Sequence, residues 1–287
     1  MPAPLVAAVL AFTAGRSVAA NAASIRAGLA EAGRVGAAVL LTPECALIGY
    51  PGAAREDCAG IDWCQVADEE ERLERDAQRA GVVLVLGTAA ELPGDADSSE
   101  RAASARRSRI SNDALVLGAT AAPVRYRKRA LTPHDLLHFT PGPEQGACVV
   151  RIAGWQMGIS ICYELRFGAL WAEQAAAGAD GFLSLAHMAG GDPDPGTKAV
   201  VIPQLYSARA AEWATPLLLA NTAAPDRWLA SGHWDARGVR VGERSDGLLV
   251  TTLTPRTQLD PWYATVRAQA LARLHPAAGA ARMPSPA

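Results

Sequence analysis

Apolar positions along the chain fall in short, nearly unbroken runs. Leu5–Phe12, Ala37–Leu41, Val82–Gly87, Ala114–Leu117, Val149–Ile152, Met157–Ile161, Gly181–Leu185, Pro216–Ala220 and Leu248–Leu253 have strand length, and such runs read as buried strands. Amphipathic stretches separate them. Helices are predicted over Val18–Ala32, Val66–Ala80, Phe167–Ala177, Pro203–Trp213 and Pro261–Leu274. Strands alternating with helices argue for a layered α/β domain. The first run also has the look of a secretory leader, but no positive charge precedes it and the first arginine is Arg16. A helical pattern follows at once, with Ile25 and Leu29 inward and Arg26 and Glu31 outward. The run is therefore read as the first strand, and the expected location is cytoplasmic.

Composition narrows the picture. Over 287 residues, 27 basic and 29 acidic side chains leave a net charge of −2, and half of the residues are hydrophobic. Wholesale disorder is excluded. No basic footprint for nucleic acid exists, and no apolar run reaches the roughly 18 residues of a membrane helix. Neither a nucleic acid nor a membrane is expected as a partner. Cys45, Cys58, Cys64, Cys148 and Cys162 are odd in number and contain no CxxC pair, which speaks against a disulfide framework. His134, His138, His187, His233 and His275 form no HExxH or zinc-finger spacing, so no metal is expected. The polar stretch Asp95–Ser111, with Arg101, Arg106, Arg107 and Arg109, reads as a solvated surface loop. Gly190–Gly196 is dense in turn residues and suits the border of a site. The Ala- and Pro-rich tail from Pro276 to Ala287 reads as frayed or as lying on a partner subunit.

Three reactive side chains sit where apolar runs end. Glu44 follows Ala37–Leu41 after Thr42 and Pro43, and points at a strand-end crevice of the kind where open α/β sheets bind ligands. Lys128 lies in Val124-Arg125-Tyr126-Arg127-Lys128-Arg129. Cys162 ends the run Met157–Ile161, with a helix expected about four residues later; a cysteine exposed near a helix N-terminus is expected to favour thiolate. Alone, each has an ordinary reading: a loop carboxylate, a solvated lysine, a buried thiol. Their order and settings together carry the inference.

Pro43-Glu44 with Gly49-Tyr50-Pro51, then Tyr126-Arg127-Lys128, then Gly158 to Phe167 through Ile161-Cys162-Tyr163-Glu164-Leu165-Arg166, resemble the nitrilase, or carbon–nitrogen hydrolase, superfamily. The likeness spans most of the chain, through Asn21, Ser111-Asn112, Arg209, Glu212, Asn221, Ser231 and Gly238. It implies a four-layer αββα sandwich that pairs to αββααββα in a dimer, with no cofactor. It also implies a nitrilase-like domain over residues 1–260, leaving 261–287 as a C-terminal helix and tail. By the resemblance, Glu44, Lys128 and Cys162 are catalytic. Cys162 attacks an amide-type carbon, Glu44 moves the proton, and Lys128 with the Tyr163 N–H stabilises the oxyanion. The expected substrate is a small amide, N-carbamoyl compound or nitrile, amides being favoured because the chain lacks a long C-terminal extension. The expected assembly is a homodimer or higher even-numbered oligomer.

The chain departs from the family at one point. A second glutamate is usual before a Phe-x-Pro-Gly turn, but His134-Asp135-Leu136-Leu137-His138-Phe139-Thr140-Pro141-Gly142 holds none. Asp135 has the matching place, one methylene shorter; His134 or His138 are the alternatives. His187 is a candidate substrate contact. Glu164 is read as a structural carboxylate near Lys128, and Arg166 as an ion-pair or dimer-contact residue, with a clamp for a substrate carboxylate as the sharper option. Arg209 and Glu212 lie three apart on one helical face and are expected to pair. Two rival functions stand beside hydrolysis. One is a Cys–His acyl hydrolase or transferase using Cys162 with His187 or His233; the other is a catalytically idle binding or scaffold module, motivated by the missing glutamate.

Overall fold

The apolar runs are unbroken because both faces of their strands are covered. A computed structural model describes residues 2–52, 58, 60–92, 109–118, 122–143, 146–190 and 195–274. The strands are β1 (Leu5–Ala11), β2 (Val39–Leu41), β3 (Val83–Leu92), β4 (Arg109–Leu117), β5 (Val124–Arg127), β6 (Val149–Ile152), β7 (Trp155–Ile161), β8 (Gly181–Leu185), β9 (Leu217–Ala220), β10 (Ser231–Trp234), β11 (Arg240–Arg244) and β12 (Gly247–Leu253). The helices are α1 (Val18–Arg34), α2 (Trp63–Ala80), α3 (Gly168–Ala176), α4 (Pro195–Glu212) and α5 (Pro261–Leu274).

Two six-stranded mixed sheets result, ordered β12-β1-β2-β3-β4-β5 and β11-β10-β9-β8-β7-β6. Each has a parallel centre, β1-β2-β3 in one and β7-β8-β9 in the other. Side chains alternate across the strands. Ala7, Val9, Val39 and Leu41 meet Ile159, Ile161, Leu183 and Leu185 in a core between the sheets. Ala8, Leu10 and Leu40 instead face a second core shared with Ile25, Leu29 and Leu73 of the two N-terminal helices. Phe182 and Leu219 face a third, with Trp171 of α3 and Ile202, Tyr206 and Ala210 of α4. The layers are helix, sheet, sheet, helix, as the resemblance implied.

Several elements differ from the sequence reading. β3 and β4 run on as a long hairpin, from Leu84 opposite Leu117 to Leu92 opposite Arg109, so Arg109, Ile110 and Ser111 are strand rather than loop. The rest of that polar stretch lies outside the described residues, as do most of the turn-rich segment and the tail. β5, β10 and β11 had no apolar run to announce them. β5 is a charged edge strand in which only Tyr126 is buried, and β11 is a mostly exposed edge. The helix expected from Pro203 begins at Pro195, with Pro203 inside it. Burial of Ile202, Tyr206 and Ala210 against the second sheet holds that helix through the proline. α2 starts at Trp63, where the Asp62 side chain accepts from the Gln65 N–H (3.0 Å). No helix among the described residues is long and apolar enough to cross a membrane.

Candidate active site

Three loop starts converge at one edge of the two sheets. After β2, the Thr42 N–H donates to the Val85 carbonyl (3.0 Å) and the Leu47 N–H to the Gly87 carbonyl (3.0 Å). Thr42 Oγ1 accepts from the Gly87 N–H (2.9 Å). The segment between is pressed so closely on β3 that a Cβ at Gly87 would lie 1.9 Å from the Pro43 carbonyl oxygen. Glu44 is held beneath, 2% exposed, and its N–H donates to the Ala186 carbonyl beyond β8 (3.3 Å). Lys128 follows β5 and is fully buried, its N–H donating to the Asn112 carbonyl (2.8 Å). Cys162 follows β7 with φ at 48°, a strained elbow for a residue with a Cβ. It opens a 3-10 turn, Cys162–Arg166, and the helix expected about four residues later starts at Gly168.

Glu164 ties these strand ends together. Its Oε1 accepts from the Tyr126 hydroxyl (2.8 Å) and the Arg129 N–H (2.6 Å), and its Oε2 from the Ile161 N–H (2.7 Å). One carboxylate thus links the end of β5 to the end of β7. Burial outweighs these donors and raises its pKa.

Lys128 bridges two buried acids. Its Nζ donates to Glu44 Oε1 (2.7 Å) and Asp135 Oδ2 (2.9 Å). Glu44 Oε1 also accepts from Asn112 Nδ2 (2.8 Å), and Glu44 Oε2 from the His187 N–H (2.9 Å). Asp135 accepts from the Tyr50 hydroxyl (2.5 Å) and the Thr132 N–H (2.8 Å). Buried charges are costly unless paired and hydrogen-bonded; here each oxygen of both acids has a donor. Burial alone lowers the Lys128 pKa, but the charges of Glu44 and Asp135 overcome it, and the ammonium is held above its ordinary range. Burial raises the Asp135 pKa, yet Lys128 and the hydrogen bond from Tyr50 carry the net shift downward.

Cys162 behaves differently from the expectation of a thiolate. Burial, and next the Glu44 charge, push its thiol well above the ordinary range, against the opposing pull of Lys128. At neutral pH it rests as a thiol that needs a base. The half-buried sulfur opens on a cavity of about 800 Å³ that Lys128, Tyr163, Arg166, His187, Lys198 and Trp228 also line. Tyr50 forms one wall, stacked on His187 (4.5 Å between centroids) and His134 (5.8 Å). Burial lowers the His187 pKa to about 4, so its ring is neutral at pH 7. His134 and His138 bond through Nε2 to the carbonyls of Pro51 (3.1 Å) and Gly52 (2.9 Å), whereas Asp135 meets Lys128. His233 lies apart from the cavity lining, its Nδ1 on Thr251 Oγ1 (2.8 Å). Arg209 pairs with Glu212 (2.9 Å). Among the described residues no group of three His, Cys, Asp or Glu side chains is set to hold a metal ion.

Two contributors were points of likeness in the sequence but were given no role there. Asn112, which donates to Glu44, sits in Ser111-Asn112-Asp113, three consecutive buried polar residues in a strand; that run was the available signal. Tyr50 was noted only as part of a Gly-Tyr-Pro segment.

A search of curated proteins finds no match. Among solved structures, the chain is similar to the amidase from Nesterenkonia sp. AN1, of the nitrilase superfamily. One mutant of that enzyme, with the acetamide moiety of fluoroacetamide added covalently at its active-site cysteine, superposes with a TM-score of 0.71 at 26% identity, covering 94% of this chain and 96% of that one. Another, in complex with butyramide, gives 0.71 at 26% identity, covering 95% and 96%. The family model for carbon-nitrogen hydrolases matches residues 5–261. With a cysteine at the strand-end elbow and buried acids on a lysine beside it, the chain belongs to the carbon-nitrogen hydrolase family.

Proposed function

We propose that the chain hydrolyses the carbon–nitrogen bond of a small amide through a thioacyl-enzyme at Cys162. The observation that carries this reading is that Cys162 and Lys128 line one cavity while Glu44, hydrogen-bonded to Lys128, is buried behind them. Glu44 takes the thiol proton as sulfur attacks the amide carbon, which suits a thiol that does not ionise by itself. Lys128 and the Tyr163 N–H, which heads a turn and has no acceptor within it, stabilise the oxyanion. The proton passes from Glu44 to the leaving nitrogen; the C–N bond breaks, and ammonia or an amine departs. Water, deprotonated by Glu44, attacks the thioester, and the acid leaves as the thiol reforms. Asp135 positions Lys128 in place of a longer glutamate. The similarity to an amidase favours amides over nitriles and N-carbamoyl compounds.

With none of the five cysteines in a disulfide among the described residues, we place the protein in the cytoplasm, as a homodimer or higher even-numbered oligomer. The test is ammonia release from aliphatic amides, dicarboxylic acid monoamides, N-carbamoyl amino acids and nitriles, with wild type run beside Cys162→Ala. Release from an amide that vanishes in the variant is expected. No release from any compound, or release that survives in Cys162→Ala, would overturn the reading.

A further inference from the structure

Among the described residues, the charges lining the cavity are one-sided. Lys128, Arg166 and Lys198 face it, and no aspartate or glutamate does among the described residues. Lys128 is already balanced from behind by Glu44 and Asp135. Arg166 is not balanced: it is exposed, and its guanidinium has no ion-pair or hydrogen-bond partner among the described residues. The ion-pair role expected for it is therefore not filled among the described residues. Its neighbours contrast with it, since Arg129 pairs with Glu173 and Arg209 with Glu212.

Arg166 closes the 3-10 turn that Cys162 opens. At about 2 Å of rise per residue, four residues set the two backbones roughly 8 Å apart along that turn. Lys198 of α4 lies over the Trp228 ring, 4.5 Å from its centroid. Its pKa is lowered, first by burial and then by the Arg166 charge, so the charge of Arg166 is felt at Lys198. A guanidinium offers a carboxylate two parallel N–H donors. The cavity also has far more room than the reacting amide group needs.

We propose that the cavity selects an amide whose far end carries a carboxylate, held by Arg166, with Lys198 adding positive charge. The inference rests on the assignment of Cys162 as the reacting end of the cavity. It commits the enzyme to short dicarboxylic acid monoamides, or compounds of that charge pattern, over neutral aliphatic amides.

Binding and turnover test it separately. The full-length Cys162→Ala protein is titrated by calorimetry with the monoamides of succinic, glutaric and adipic acid, each beside the neutral straight-chain amide of equal carbon number. At least one monoamide is expected to bind about tenfold to a hundredfold more tightly than its neutral match, the range for charged hydrogen bonds. Adding Arg166→Gln should collapse that ratio towards one, and Arg166→Lys should restore part of it. Equal binding within every pair, or a ratio that Arg166→Gln leaves intact, would overturn the proposal. Wild-type turnover then bears on the hydrolase reading. Selective binding with no ammonia released would sink hydrolysis and leave the anion site standing. Hydrolysis of both members of each pair with equal kcat/KM would do the reverse.

Discussion

At the scale of the residue, the site is a set of charges that hold one another in place, and its titration behaviour follows. The Glu44 charge helps raise the Cys162 pKa, so Glu44→Gln should move the pH profile of Cys162 alkylation by iodoacetamide to lower pH while abolishing turnover. The readout is site-resolved mass spectrometry, because Cys64 is exposed and also reacts. A profile unmoved by the substitution would mean the two groups do not act on each other. Asp135 gives the opposite sign. Its pKa is lowered on folding, so its contribution to stability is complete above the unfolded value, near 4, and is lost as pH falls through the folded value. Removing one partner of a buried pair costs about 3 kcal/mol. Asp135→Asn should therefore lower the urea midpoint most at neutral pH, and the gap to wild type should narrow in acid; a constant gap would contradict the ion pair. Glu44 and Cys162 were legible because each sits at the end of a local apolar run, whereas Lys128, in a charged strand, stood out through the Tyr126-Arg127-Lys128 segment that carries the resemblance. The hydrogen bonds to Asp135 from Tyr50 and to Glu44 from Asn112 were not, because they join residues 85 and 68 positions apart.

At the scale of the element, the strands supply direction and the close approaches between them supply position. The parallel centres were readable from runs such as Gly181–Leu185, since burial on both faces leaves an unmistakable apolar stretch. β5 and β11 were not, because edge strands bury little and carry polar residues; β10 is internal and buried, but its sequence Ser-Gly-His-Trp offers no apolar run. Pro203 misled the reading of α4, since packing of its apolar face outweighed the local penalty. Gly87 shows how an element serves the site. Its missing Cβ lets the Glu44 loop lie on β3, and its N–H and carbonyl both bond to that loop. Gly87→Ala must push the Pro43 carbonyl away. The expected cost is about 1–3 kcal/mol, as for overpacking of a core, together with a fall in kcat as Glu44 shifts. Urea unfolding and amide turnover of the same preparation check both, and full activity at normal stability would mean the loop has slack.

At the scale of the whole molecule, the question is whether α5 belongs to the cooperative unit. The sequence set residues 261–287 apart from the domain before them. The structure ties α5 to it through Arg267, which is 4% exposed. Its Nη1 donates to the Trp213 carbonyl (2.7 Å) and Thr215 Oγ1 (2.8 Å), and its Nη2 to the carbonyls of Ala175 (3.1 Å) and Ala179 (2.8 Å). These acceptors lie at the ends of α3 and α4, the helices that cover the second sheet, and Ala270 and Leu271 pack on the same core. Removing the arginine leaves buried acceptors without a donor, at about 1–3 kcal/mol for each group left unsatisfied. Arg267→Met, which keeps the stem and loses the donors, should lower the urea midpoint clearly while leaving a single transition. A chain ending at Asp260 should lose at least as much. If α5 were an appendage, both proteins would unfold at the wild-type midpoint; a shared loss would make it part of the layer that holds β7 and β8, and with them Cys162 and His187, in register.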